Sequence, residues 1–226
     1  MGVYGGLFDP VHDGHLEVAR YARTALELDK VLLVPCKLPN HRSGAQASGA
    51  ARLHMLELAS RDEATLEVSD IELEREGVSY TVDTLAQLRK QEPNTDFAFI
   101  LGQDAFSSLP KWQRWQELLS DNLLAVVSRS DAVSEKGAEV GEPAEQAGGR
   151  GTGWRPEPAL AASVDWDARR SNDAAALFSA RRGRLMSLEG LANPLSSTAI
   201  RAGLAHKDFS GLAPSVAAYI QHEGLY

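Results

Sequence analysis

Two histidines, His12 and His15, enclose Asp13 and Gly14 and follow the short segment Gly5-Gly6-Leu7-Phe8-Asp9-Pro10-Val11. Imidazoles donate hydrogen bonds to phosphoryl oxygens and add positive charge when protonated, so such a pair suits a reaction in which charge grows on a phosphate. Val3 to Phe8 reads as a buried strand, and Leu16, Ala19, Ala22 and Leu26 recur at helical spacing afterwards. The histidines therefore fall where strand gives way to helix, and both can face one pocket. The first amides of that helix lack internal acceptors and carry the positive end of its dipole, which makes the turn a place for an anion. Gly14 has no β-carbon, so a nucleotide can approach the backbone there. Taken alone, the pair also reads as a helix cap or as part of a metal site. The metal reading lacks a third ligand nearby, because Cys36 is the single cysteine and no glutamate stands at zinc-protease spacing.

A second segment, Pro194-Leu195-Ser196-Ser197-Thr198-Ala199-Ile200-Arg201, has hydroxyl residues suited to start a helix and an arginine about one turn beyond Thr198. Amides near Ser197 and Thr198 can bind phosphate while Arg201 adds a charge-assisted contact from the same face. In isolation the serines read as a cap; the company of the histidine pair weighs against so plain a role.

The elements that would position these groups follow from periodicity. Apolar β-type runs at 3 to 8, 31 to 35, 97 to 101, 123 to 127 and 184 to 188 alternate with helical patterns at 15 to 28, 50 to 60, 81 to 91 and 112 to 120. Such alternation predicts one α/β domain, a doubly wound parallel sheet with helices on both faces. Ligands of such sheets sit beyond the carboxyl ends of the strands, where strand order reverses. Loops carrying His12 and His15, then Lys37, His41 and Arg42, then Gln103 and Asp104, converge there. From Asp131 to Asp173 the composition turns to Gly, Ala, Glu, Ser and Pro with little apolar periodicity, which reads as a long mobile insertion; Trp154 and Trp166 are placed to pin it to the body or to a partner chain. Val216, Tyr219 and Ile220 predict a closing helix within 213 to 226.

Composition narrows the class. At 226 residues and 43% hydrophobic content the chain can build a proper core. A net charge of −8 disfavours nonspecific nucleic-acid binding, which depends on many cations, so any anion site is local. A lone cysteine forms no internal disulfide, no apolar run reaches membrane-spanning length, and the first residues lack a signal-peptide pattern, all of which makes the cytosol the expected compartment. Met1-Gly2 does not start a myristoylation motif, because Gly6 stands where Ser or Thr is needed.

His12-Asp13-Gly14-His15 and the Ser197-to-Arg201 segment resemble the two signatures of the HxGH nucleotidyltransferase superfamily. Ile100-Leu101-Gly102-Gln103-Asp104-Ala105-Phe106, Leu109-Pro110-Lys111-Trp112-Gln113-Arg114-Trp115, Ser79-Tyr80-Thr81 and Pro39-Asn40-His41-Arg42 extend the likeness to the bacterial nicotinate mononucleotide adenylyltransferases, over almost the whole chain outside 131 to 173. The resemblance implies a Rossmann-like nucleotidyltransferase fold and transfer of the adenylyl group of ATP to nicotinate mononucleotide, giving deamido-NAD and pyrophosphate in NAD biosynthesis. It implies Mg2+ as the companion of ATP, carried by the phosphates and not by a protein metal site. It implies catalytic roles for His12, His15 and Arg201, and an ATP site formed by Gly6, Phe8, Gly14, Gly102, Asp104, Ser197 and Thr198. Contacts to the mononucleotide fall to His41, Arg42, Tyr80, Thr81, Trp112 and Arg129. The partners are small molecules, without nucleic acid or membrane, and the protein is expected as a monomer or homodimer.

These residue types suit their tasks. Trp112 offers a flat plate for a cationic pyridinium ring, a contact worth about 0.5 to 2 kcal/mol; a core position is the competing reading, and the one preferred for Trp115. Ser79, Tyr80 and Thr81 precede Val82, Leu85 and Leu88, so their amides open a helix that can hold the nicotinate carboxylate and favour it over the neutral amide. Capping remains the other reading for Tyr80 and Thr81. Asp104 can accept bonds from ribose hydroxyls or cap a helix. Lys37, His41 and Arg42 stand on a Pro-punctuated loop that can close over phosphates. The sequence departs from the family pattern at Leu7, usually Thr; at Asn40, often Pro; at Gln113, often aromatic; and at Ser130-Asp131, usually Pro-Gly. Two other readings stay open: an adenylyltransferase for nicotinamide mononucleotide or phosphopantetheine, and a nucleotide-binding sensor without catalysis.

Overall fold

The computed structural model describes residues 1–37, 45–129, 154–191 and 195–226, the side chains of 129 and 190 excepted. Strands β1 (Gly2–Gly6), β2 (Val31–Pro35), β3 (Leu66–Val68), β4 (Ala98–Gly102), β5 (Leu123–Arg129) and β6 (Arg184–Leu191) form one sheet in the order β3-β2-β1-β4-β5-β6, every pairing parallel. Helices α1 (Asp13–Ala25), α2 (Gly49–Ser60), α3 (Ile71–Glu74), α4 (Thr81–Gln91), α5 (Gln103–Ser107), α6 (Trp115–Asp121), α7 (Pro158–Val164), α8 (Trp166–Arg169), α9 (Ala174–Ser179), α10 (Ser197–Leu204) and α11 (Pro214–Glu223) cover it.

Successive strand residues point to opposite faces, and here both faces are apolar: Val31 and Leu33 enter one core layer, Leu32 and Val34 the other. The first layer is completed by Leu16 of α1, Met55 of α2, Leu177 of α9, Ile200 of α10 and Val216 of α11. The second takes Ile71, Leu85, Phe106, Leu118, Val164 and Trp166 from α3 to α8. The doubly wound architecture is thus the one that the alternating sequence predicts. β1 pairs with β2 on one side and β4 on the other, so strand order reverses beside β1, and the crevice for a ligand opens at the carboxyl ends of β1 and β4.

Several expectations are corrected. β1 stops at Gly6, because Phe8 adopts a left-handed backbone, φ 50°. The helix expected from 112 begins at Trp115: Leu109–Lys111 is a 3-10 turn opened by Pro110, and Arg114, at φ 53°, resets the chain. Of the segment 131 to 173, residues 154 to 173 are described and carry α7 and α8, where the composition suggested little regular structure. Trp166 explains the order: it is 1% exposed and meets Phe106 and Trp154 edge-on, at ring distances of 5.5 and 5.6 Å. Trp166 is therefore the core tryptophan, and Trp115 is only half-buried against the same layer. No described helix is long and apolar enough to cross a membrane.

Candidate active site

The loop leaving β1 is tight. A β-carbon at Gly6 would lie 3.0 Å from the ring of Phe8, which is buried and meets His15 at 5.0 Å. His12 is the N-cap of α1, in extended conformation, and Gly14 is buried in its first turn. The backbone N–H of His12 donates to His15 Nδ1 at 3.3 Å, while His15 N–H donates to the His12 carbonyl at 2.8 Å. As an acceptor, Nδ1 carries no proton, so neutral His15 holds its proton on Nε2. The two rings lie 3.8 Å apart, tilted by 34°.

The second segment arrives beside the first. Ser196, one residue before the expected pair, is the N-cap of α10 and accepts from Ala199 N–H at 3.2 Å. That leaves Ser197 and Thr198 at the first two helical positions, where amides have no intrahelical acceptor. Ser197 Oγ donates to the Pro10 carbonyl at 3.3 Å, and Arg201 Nη1 donates to the Asp9 carbonyl. Arg201 Nη2 also reaches Thr198 Oγ1 at 3.4 Å. Segments nearly two hundred residues apart in sequence are thus hydrogen-bonded into one wall.

Sequence reasoning missed the residue at the centre of that wall. Asp9 is 2% exposed, and its carboxylate accepts from Gln46 N–H at 2.8 Å, Ala47 N–H at 3.1 Å and the Tyr226 hydroxyl at 2.6 Å. Arg201 Nη1 stands 4.0 Å from the same carboxylate. Burial, then the bond to Asp9, pushes the Tyr226 hydroxyl far above its usual pKa, so it remains a donor at neutral pH. Arg52, 1% exposed, donates to the Leu7 carbonyl at 2.7 Å and braces the same loop from α2. An arginine between apolar Ala51 and Met55 was the available signal for it.

On the other layer, Tyr80 caps α4 through its backbone and Thr81 is its first residue, so the expected amide-rich helix start is present. Behind it, Glu72 is 7% exposed; its Oε1 accepts from the Thr84 hydroxyl at 2.7 Å, and Arg75 donates to Thr84 Oγ1 at 2.9 Å. Burial pushes the Glu72 carboxyl up, opposed by Thr84, Arg75 and Ser79. Lys37 donates to the Arg75 carbonyl at 2.7 Å, which joins the loop after β2 to this corner. Trp112 is half-buried, anchored by Nε1 to Ser108 Oγ at 3.1 Å and edge-on to Phe99. Gly102 caps α5, a β-carbon there would meet nothing within 4 Å, and Asp104 is exposed in the first turn. His41 and Arg42 lie outside the described residues. So does the Arg129 side chain, although its backbone ends β5. Among the described residues no three His, Cys, Asp or Glu side chains converge to hold a metal ion.

Residues 3–203 match the model of the cytidylyltransferase-like family. Over 229 residues the chain is 38% identical to the "Probable nicotinate-nucleotide adenylyltransferase" of Aeromonas hydrophila, covering 100% of this chain and 96% of that one. The protein of the same name from Laribacter hongkongensis is 39% identical, with 100% and 94% covered. The chain belongs to the nicotinate-nucleotide adenylyltransferase family. Its fold is shared with the solved nicotinic acid mononucleotide adenylyltransferase of Plasmodium falciparum complexed with NaAD: the TM-score is 0.69 at 16% identity, over 100% of this chain and 96% of that one. The same Plasmodium enzyme complexed with APC gives 0.68 at 17% identity, with the same coverage. Membership in this family gives the wall between Asp9 and Arg201 its chemical context, that of a nucleotidyltransferase.

Proposed function

We propose that the chain transfers the adenylyl group of ATP to nicotinate mononucleotide, forming deamido-NAD and releasing pyrophosphate, a step of NAD biosynthesis. The observation that carries this reading is the direct bonding of the His12–His15 loop to the start of α10 through Ser197 and Arg201. One triphosphate can then touch both.

The reaction is an in-line displacement. A phosphate oxygen of the mononucleotide bonds to the α-phosphorus, the bond from that phosphorus to the bridging oxygen breaks, and its electron pair leaves with pyrophosphate. No covalent nucleophile is required, so catalysis rests on alignment and charge stabilisation. His15, its Nδ1 committed to the backbone, offers Nε2–H to an α-phosphate oxygen, and His12 supports it from the adjacent ring. Ser197 and Thr198 amides and the remaining donors of Arg201 hold the β and γ phosphates. Gly14 admits the nucleotide to the helix start, Gly6 and Phe8 shape the turn beneath it, and Gly102 leaves room where Asp104 can accept from ribose hydroxyls. The start of α4 at Tyr80 and Thr81 receives the nicotinate carboxylate, Trp112 stacks on the pyridine ring, and His41, Arg42 and Arg129 serve the mononucleotide phosphate. Mg2+ enters on the phosphates of ATP as part of the substrate, and we place the reaction in the cytosol.

Pyrophosphate release from ATP with nicotinate mononucleotide, nicotinamide mononucleotide or phosphopantetheine tests the assignment. Release is expected with the first and much more slowly with the others. Preference for either alternative overturns the substrate assignment, and release with none overturns catalysis itself.

A further inference from the structure

The Asp9 carboxylate is held by three donors from two directions: Gln46 and Ala47 amides on the approach to α2, and the Tyr226 hydroxyl beyond α11. The same residue's backbone carbonyl receives Arg201 Nη1. Side chain and carbonyl belong to one short, tight loop, so freeing the carboxylate lets the carbonyl turn and the guanidinium follow it. α11 itself packs through Val216 and Ile220. Tyr226 is different: its ring borders an open cavity of about 370 Å³ lined by Leu204, Phe209, Ile220 and Leu225. The other side of the ring packs against the core layer, and its hydroxyl reaches the Asp9 carboxylate.

We infer that Tyr226 is a positioning residue for the phosphate wall: its hydroxyl fixes Asp9, and Asp9 sets the Arg201 guanidinium toward the pyrophosphate portion of ATP. This rests on the proposed function, in which Arg201 holds the leaving group. Tyr226 touches no substrate in this arrangement. It acts through Asp9, and its influence falls on the leaving-group side of the reaction and not on the pyridine side.

A double-mutant cycle on the full chain tests it, with pyrophosphate affinity by calorimetry and steady-state constants for both substrates. Tyr226→Phe is expected to weaken pyrophosphate binding and kcat/KM for ATP about tenfold, since hydrogen bonds to charged groups carry effects of that order. KM for nicotinate mononucleotide is expected to stay within about twofold. In an Arg201→Ala background the added loss in pyrophosphate affinity is expected to fall below about twofold, because the effect travels through that side chain. Equal losses in both backgrounds overturn the inference, as does an unchanged affinity in Tyr226→Phe alone. If Arg201→Ala leaves pyrophosphate affinity unchanged, the placement of Arg201 fails first and the inference falls with it. Leu225→Ala separates positioning from general loosening: it disturbs the same corner without removing the hydroxyl. A lower melting temperature with unchanged pyrophosphate affinity is expected; a tenfold affinity loss in Leu225→Ala overturns the inference.

Discussion

Replacing Asp9 by Ala removes one side chain and strands three donors. The Ala47 amide is buried, whereas the Gln46 amide and the Tyr226 hydroxyl are partly buried. A buried donor without a partner costs about 1–3 kcal/mol, and those that water reaches fall at the low end. The sum is about 3–5 kcal/mol, and for a chain of this size about 2–4 °C is lost per kcal/mol, so the melting temperature should fall by roughly 6–20 °C. Glu63→Ala supplies the contrast: Glu63 pairs with Arg20 at the surface, and losing such a pair costs at most about 1 kcal/mol. Urea unfolding and thermal melts of wild type and both variants measure the difference. An Asp9→Ala protein within about 1 kcal/mol of wild type would refute the argument that this carboxylate ties the loop together.

Three further outcomes follow from the site. His15→Ala should lower kcat about 10²- to 10³-fold, in line with loss of a donor to developing charge, while ATP affinity by calorimetry moves less than about threefold; equal losses in both would contradict the role given to Nε2. Trp112→Ala should raise KM for nicotinate mononucleotide about 2- to 30-fold, the range of a cation–π contact, with KM for ATP unchanged. Glu72 sets a pH dependence: burial raises its folded pKa above the usual 4.5, so the folded chain keeps a proton that the unfolded chain has released. Its contribution to stability is full below pH 4.5 and is lost as pH rises through the raised value. Glu72→Gln does not titrate, so urea unfolding should show wild type losing ground to this variant between pH 4 and pH 8, and the opposite trend would exclude the mechanism.

How much the sequence disclosed depended on whether the signal was local. β2 at Val31–Pro35 and α4 at Thr81–Gln91 fall where the apolar pattern places them, because a strand buried on both faces and an amphipathic helix each carry their whole signature within one window. β3 escaped notice: three residues with Glu67 in the middle show no period. α7 and α8 were hidden by an Ala-rich, Pro-flanked composition, and only the tryptophans hinted at order. The histidine pair and the Ser197-to-Arg201 segment were legible because helix starts have a local grammar. Asp9 was not, since its importance comes from Gln46, Ala47, Arg201 and Tyr226, which only the folded chain assembles. Lys37 carries a tie of the same kind: its ammonium donates to the Arg75 carbonyl across the corner, a contact that no local pattern announces.

The central claim is that one triphosphate spans the histidine loop and the start of α10. Phosphorus NMR of bound ATP reads this directly, with the α, β and γ resonances recorded for wild type, His15→Ala and Arg201→Ala. His15→Ala should move the α resonance most, and Arg201→Ala the β and γ resonances, each relative to wild-type bound ATP. Bound ATP whose three resonances ignore both substitutions would show that the nucleotide lies elsewhere.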